Sequence, residues 1–232
     1  MWDTFPQGVS TYAAEIDGIY TVILWITGAI FVLVEAALVL FVVKYRHREG
    51  RRATHIHGNW RIEAVWTAVP FAIVIWIVII SMGPWRLIRD PESIPADAFE
   101  IGVTAKQFEW NASYTGPDGR LDTDDDVVER NRLFVPANRP VVVRLRSEDV
   151  IHSFFLPSMR VKQDAVPGME QHVWFEATTP GEYVLGCAEL CGLGHYRMRG
   201  TVTVLPEAEW QSWLAASGAG ATTAGRLSLD SR

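Results

Sequence analysis

The sequence predicts an all-β domain of Greek-key sandwich type, preceded by an N-terminal two-helix transmembrane hairpin. Three observations point there. Two long apolar runs lie before residue 86, separated by a stretch rich in Lys and Arg. After residue 95 the pattern changes to short β-prone runs broken by Gly, Pro and Asn turns. Residues 187–198 then read Cys-Ala-Glu-Leu-Cys-Gly-Leu-Gly-His-Tyr-Arg-Met, a single loop with two thiols, an imidazole and a thioether.

Residues 1–17 are short, polar and mildly acidic, with no positive run of the kind that opens a cleavable signal, and are expected to lie outside the membrane. The hairpin is expected over 18–88, with helices at about 18–43 and 62–85. Between them Lys44, Arg46, Arg48, Arg51, Arg52 and Arg61 place the connection on the cytoplasmic side and both termini outside. Glu35 is the one charge inside the first run, a costly position unless it faces protein or water. Residues 89–97, with Asp90, Pro91 and Pro95, read as a linker.

Strands are expected at 99–104, 106–114, 132–135, 141–146, 152–156, 170–177, 182–186 and 199–205. Many short strands at this spacing indicate a sandwich. With the ligand-rich loop between the last two, the natural assignment for 98–206 is a cupredoxin. A short helix follows at 207–216, where Pro206 and two acids mark its start, and a Gly/Ala/Thr-rich flexible tail covers 217–232. The net charge of −6 over 232 residues argues against a nucleic-acid partner. Both cysteines sit in one motif, which leaves none for a disulfide framework elsewhere.

Thiolate, imidazole and thioether together suit copper. His152, far upstream, supplies a second imidazole. A mononuclear blue-copper site needs one Cys, two His and a weak axial Met; a second Cys four residues after the first is enough to bridge a pair of coppers. A disulfide between Cys187 and Cys191, or a structural zinc site, remains open at this point. Neither uses His152, His195 and Met198 together.

The loop, the run 147–153 (Ser-Glu-Asp-Val-Ile-His-Ser) and the run 162–168 (Lys-Gln-Asp-Ala-Val-Pro-Gly) closely resemble subunit II of haem-copper cytochrome c oxidases, over residues 12–206. The resemblance implies a dinuclear copper centre, CuA. Cys187 and Cys191 would bridge it, His152 and His195 cap it, and Met198 and the Glu189 carbonyl act as weak axial ligands. It also implies a magnesium ion at the interface with subunit I, held in part by the Glu189 side chain, and places Asp164 near that interface. Glu63 matches the cytoplasmic entrance of a proton path into subunit I, although by spacing alone it is equally a helix N-terminal carboxylate. Phe108, followed by Trp110, stands where the family commonly has a Trp through which electrons arrive.

The implied function is a respiratory terminal oxidase of the bacterial inner membrane, with the copper domain on the periplasmic side. This chain would relay electrons from cytochrome c to the haem of subunit I for O2 reduction coupled to proton translocation, without reducing O2 itself. Subunit III is a further expected partner. A basic cytochrome c would be steered by Glu148, Asp149 and the acidic run Asp122, Asp124, Asp125 and Asp126. Arg197 and Arg199 are candidates for donor contacts or for ion pairs at the subunit interface. Alternative readings are a quinol oxidase subunit, which lacks the copper ligands, a membrane-anchored copper carrier, and an electron-delivering subunit of a nitric oxide reductase.

Overall fold

The computed structural model describes residues 6–52, 55 and 57–220, so most of the expected tail lies outside the described residues. The chain divides into two compact units, Glu15–Pro84 and the remainder.

The first unit holds most of two long helices, α1 (Ala13–Lys44) and α2 (Trp60–Arg89). Their mean hydropathy reaches 2.7 and 2.4, and the apolar side chains face outward. At 1.5 Å per residue, 32 and 30 residues span about 48 and 45 Å, more than the roughly 30 Å of a bilayer's hydrocarbon core. α1 begins at Ala13 rather than residue 18, since Ala13, Ala14 and Glu15 favour a helical first turn. α2 continues past residue 85 to Arg89, where Arg86 and Arg89 sit favourably at the C-terminal end of the dipole. It keeps Pro70 and Pro84 inside it. Glu63 lies in its first turn, its N–H donating to Asn59 O at 3.0 Å; Glu35 is exposed on α1.

The second unit is a sandwich of two five-stranded sheets. One has the order β3-β2-β1-β5-β8 and the other β4-β10-β9-β6-β7. The first contains β1 (Phe99–Lys106), β2 (Glu109–Tyr114), β3 (Val127–Arg130), β5 (Pro140–Ser147) and β8 (Gln171–Glu176). The second contains β4 (Arg132–Pro136), β6 (His152–Leu156), β7 (Val161–Ala165), β9 (Gly181–Cys187) and β10 (Arg199–Leu205). Pairs β1/β5 and β4/β10 are parallel and the rest antiparallel, the crossed connectivity of a Greek key. Inward residues alternate along β1, so Phe99, Ile101, Val103 and Ala105 are buried, as are Leu145, Phe154, Leu156 and Val202.

Two strands, β3 and β7, were not anticipated from the sequence, and the run 106–114 is not one strand. The chain turns at Gln107 and Phe108, pairing Lys106 with Glu109. β3 (Val-Val-Glu-Arg) and β7 (Val-Lys-Gln-Asp-Ala) are edge strands, where charge is favoured and the apolar signal is weak. The N-terminal segment packs on the sandwich. Val9 and Tyr12 are buried, Ser10 forms a β-bridge with Ala177, and the Tyr12 hydroxyl donates to Trp174 O at 2.9 Å.

This register brings one set of ends together. β5 finishes at Ser147, β6 starts at His152, β9 ends at Cys187 and β10 starts at Arg199, with the β1–β2 turn beside them. The opposite end is closed by α3 (Glu207–Ser217). Its Trp210 lies edge-on to Phe99 (5.1 Å between ring centres) and stacks with Trp213 (5.2 Å), which in turn meets Tyr114 and Phe134.

The acidic run forms an ordered loop over the outer face of the first sheet. Asp122 accepts from Arg144 at 2.6 Å and Arg146 at 3.0 Å, and both arginines also pair with Glu170. Burial raises the pKa of Asp122 and of Glu170, but the two guanidinium groups outweigh it and hold both carboxyls below their ordinary range. A lowered folded-state pKa stabilises the fold above the unfolded value, about 3.9 to 4.3 for these groups, and that contribution is lost as pH falls through the lowered value. Amide hydrogen exchange of 117–126, corrected for intrinsic rates, should therefore stay protected at about pH 5 and lose protection below about pH 4. Equal exchange at both values would show that the ion pairs do not hold the loop.

Candidate metal centre

Cys187 is the last residue of β9 and His152 the first of β6, so strand register fixes where both side chains leave the sheet. Phe154 pairs with Cys187 across the two strands. The loop beyond Cys187 is held at its base and at its end: Ala188 N–H donates to Ser153 O at 3.0 Å, and Cys187 N–H to Met198 O at 3.2 Å. A short 3-10 turn over His195–Arg197 folds the loop back, with Met198 N–H donating to His195 O at 3.0 Å.

The six residues named for the metal come together in this arrangement. The two sulfurs stand 3.9 Å apart as separate thiols, well beyond the roughly 2.0 Å of a disulfide bond. Cys187 Sγ lies 4.0 Å from His152 Nδ1 and 3.2 Å from Glu189 O. Cys191 Sγ lies 3.6 Å from both His195 Nδ1 and Met198 Sδ. The ligand atoms of His152, Cys187 and Cys191 all fall within 4.8 Å of one another, the one such cluster among the described residues. His152, Cys191 and Met198 are buried. Burial pushes the Cys191 thiol up to about 11, and charge on Cys187 adds to it.

The surroundings fix these groups. Asp149 Oδ1 lies 2.8 Å from His152 Nε2, so Nε2 carries the proton and the Nδ1 lone pair is left toward the sulfurs. Gln107 donates through its backbone N–H to Asp149 Oδ2 at 2.7 Å and through its side chain to Cys191 O at 2.6 Å. The Phe108 ring covers Gly192 and Gly194, and a methyl group at Gly194 would collide with it. Trp110 is buried edge-on to His152 and to Phe154, with ring centres 6.1 and 5.7 Å away.

The other residues singled out from the sequence fall elsewhere. Asp149 is exposed and accepts from the Gln107 and Val150 N–H groups while lying against His152. Asp122 is held by arginines. Asp125 accepts from Thr123 and Asp118, and Asp126 from Asp122 N. Asp124 and Glu148 are exposed. Asp164, on β7, accepts from Ser153 Oγ at 2.6 Å. Glu189 is exposed, and among the described residues it joins no cluster with Asp164. Sequence reasoning missed the orienting role of Asp149 and of Gln107. The Asp149–His152 spacing of three was its only visible trace.

Removing the orienting carboxylate has a direct consequence. Asp149→Asn should lower the affinity for copper about 10- to 100-fold, as loss of a partner behind a metal-binding imidazole does. Competition against a calibrated chelator measures it, and unchanged affinity would deny Asp149 that role.

Fold and site together define a membrane-anchored cupredoxin-type protein with a soft, thiolate-centred ligand set. The model for the periplasmic domain of cytochrome c oxidase subunit II matches residues 104–205, and that for its transmembrane domain residues 2–83. The chain is 32% identical to the alternative cytochrome c oxidase subunit 2 of Bradyrhizobium diazoefficiens, over 89% of this chain and 81% of that protein. It is 29% identical to cytochrome c oxidase subunit 2 of Thermostichus vulcanus, over 90% and 76%. Among solved structures, the periplasmic domain of subunit II of cytochrome oxidase from Bradyrhizobium japonicum is 32% identical, covering 53% of this chain and 96% of that one, with a TM-score of 0.46. The chain belongs to the cytochrome c oxidase subunit II family and is a membrane protein.

Proposed function

We propose that the chain is the electron-accepting subunit of a respiratory terminal oxidase. It would take electrons from cytochrome c at a dinuclear copper centre and pass them to the haem of subunit I, where O2 is reduced to water with proton translocation. The observation that carries this reading is the convergence of two unlinked thiols, two imidazoles, a thioether and a carbonyl at one end of the sandwich. Soft sulfur donors with imidazole fit copper, and a single copper would leave the second thiol without a use. Cys187, Cys191, His152, His195, Met198 and the Glu189 carbonyl would hold the coppers. A bound copper pair supplies one-electron chemistry shared over two metals.

The protein's own part is to keep these donors from moving. Asp149 sets the His152 tautomer, and Gln107 ties the β1–β2 turn to the Cys191 carbonyl. Burial of Cys191, His152 and Met198 keeps water from their donor atoms. Burial raises the pKa of the Cys191 thiol, so metal binding must release its proton and copper affinity should fall at low pH. The chain relays electrons and breaks no substrate bond.

The Lys/Arg-rich connection between the helices supports a cytoplasmic hairpin turn and a periplasmic copper domain. Subunits I and III of the oxidase would be its partners. Glu63, in the first turn of α2, would stand at the proton entrance. The Glu189 carboxylate would serve magnesium at the interface with subunit I, with Asp164 nearby in that interface.

The test is the full chain in detergent, reduced and supplied with copper. Two ions per chain and a paramagnetic spectrum of one electron shared by two coppers are expected. A single-copper blue spectrum would refute the dinuclear assignment. Met198→Leu should keep both ions and shift the potential.

A further inference from the structure

The connection between α1 and α2 is a dense patch of one charge. Lys44, Arg46, Arg48, Arg51, Arg52 and Arg61 lie in it or on the helix turns beside it, against a single carboxylate within residues 44–61, Glu49. All six cations are exposed, and among the described residues none of them forms an ion pair. The charge bias of membrane proteins accounts for cations of either kind beside a span, yet five of these six are arginine. A guanidinium fork holds a phosphate through two parallel N–H···O bonds, where an ammonium offers a point charge.

Local structure keeps the cations close to the ends of the two spans. Lys44 is the last residue of α1 and Arg61 the second of α2. Tyr45 N–H still donates to Phe41 O at 2.8 Å, and Arg51 N–H donates to Arg48 O at 3.1 Å across a turn in which Gly50 takes φ +79°. Asn59 Oδ1 accepts from Arg61 N–H at 3.1 Å at the start of α2. Lys44 Nζ and the Arg51 guanidinium lie 5.6 and 5.9 Å from the centre of the Tyr45 ring, and the Arg61 guanidinium 5.7 Å from that of Trp60. Both rings are exposed, the residue types and the place of an interfacial anchor at headgroup level.

We infer that residues 44–61 bind the headgroups of anionic phospholipids, with Arg46, Arg48, Arg51 and Arg52 on the phosphates and Tyr45 and Trp60 anchored in the interface beside them. Binding of this kind is independent of electron transfer and of which face of the bilayer carries the turn. Each Lys or Arg close to an anionic surface adds about fivefold to binding, and salt screens the attraction. The competing occupant is an acidic face of a neighbouring subunit. Lipid is favoured because the unpaired cations adjoin two apolar spans and stack on the aromatic rings that flank them.

The experiment holds the full chain on an affinity resin in mixed micelles containing equal phosphatidylglycerol and phosphatidylcholine, and counts the lipid retained by mass spectrometry. Phosphatidylglycerol should be enriched about tenfold or more at low salt, and about threefold or less once ionic strength is raised tenfold. Replacing the four arginines (Arg46→Gln, Arg48→Gln, Arg51→Gln, Arg52→Gln) should bring the ratio to within about twofold of the input. The matching lysine replacements keep the charge and should stay within about threefold of the unaltered chain. Circular dichroism should be the same for all three. An unchanged ratio in the glutamine variant, or equal losses in the glutamine and lysine variants, would overturn the proposal.

Three further arms separate lipid from other anions and other sites. Excess inorganic phosphate at constant ionic strength should leave the enrichment in place; displacement of the lipid would mark a soluble-anion site and overturn the proposal. Arg86→Gln with Arg89→Gln, at the other end of α2, should change the ratio less than about twofold. Loss there, with none from the loop, would also overturn it. Isolated from membranes together with its partner subunits, the chain should show the same drop in phosphatidylglycerol between the unaltered and the glutamine variant. Equal lipid in the two would mean that a partner's surface covers the loop, and lipid binding there would be refuted.

Discussion

Cys191→Ser is expected to abolish the proposed dinuclear centre while leaving the sandwich folded. Cys191 Sγ is the most connected donor atom of the site, 3.6 Å from His195 Nδ1, 3.6 Å from Met198 Sδ and 3.9 Å from Cys187 Sγ. A serine hydroxyl is a hard donor that keeps its proton at neutral pH, so it cannot replace a bridging thiolate. Copper bound to the full chain should fall from two ions to one or none. The shared-electron spectrum should vanish, and donor oxidation by the complex should drop at least about 100-fold, beyond what loss of an outer partner causes. Circular dichroism should remain that of a β-sandwich, because Cys191 lies outside the strands and Ser differs from Cys by a single atom. Retention of two coppers with the unaltered spectrum would sink the ligand assignment.

At the other end of the sandwich, Trp210→Ala should have the largest effect on stability. Trp210 is fully buried, against Phe99 at 5.1 Å, Trp213 at 5.2 Å and Tyr114 at 6.5 Å. Truncating a buried tryptophan costs about 3–5 kcal/mol. For a unit of this size that lowers Tm by about 10 °C. Its indole N–H has no hydrogen-bond partner among the described residues, so the contribution is one of packing. Trp210→Phe, which keeps a ring and discards the orphaned N–H, should therefore cost far less. Thermal scans of the full chain decide between them; equal losses for the two variants would contradict a packing origin.

The parts legible in the sequence share one property: their signal is carried by residue type at short range. The apolar runs declare α1 and α2 by length and polarity alone. The ligand loop is readable because thiol, imidazole and thioether are chemically distinctive, and because four of its side chains fall within twelve consecutive residues. What escaped notice depends on partners distant in the chain. β3 and β7 are charged edge strands whose pairing with β2 and β6 is not written in their own composition. Asp149 reads as a surface acid until folding sets it against His152 and Gln107. Asp122 likewise gains its meaning only from Arg144 and Arg146, more than twenty residues on. Residues 9–12 dock on the sandwich immediately before α1, a contact no local pattern records.

That last contact bears on biosynthesis. Val9 donates to Ser158 O and receives from Thr178 N–H, while Ser10 bridges Ala177, so segments made late meet one made much earlier. A ribosome delivers residue 9 long before residue 178, and two apolar helices must be inserted in between. On the topology proposed above, the leading segment crosses the bilayer early and waits at the surface where the later domain will emerge. An insertion event that strands the N-terminus on the opposite face would leave the sandwich without this edge, which makes hairpin topology a condition for finishing the fold as well as for anchoring it.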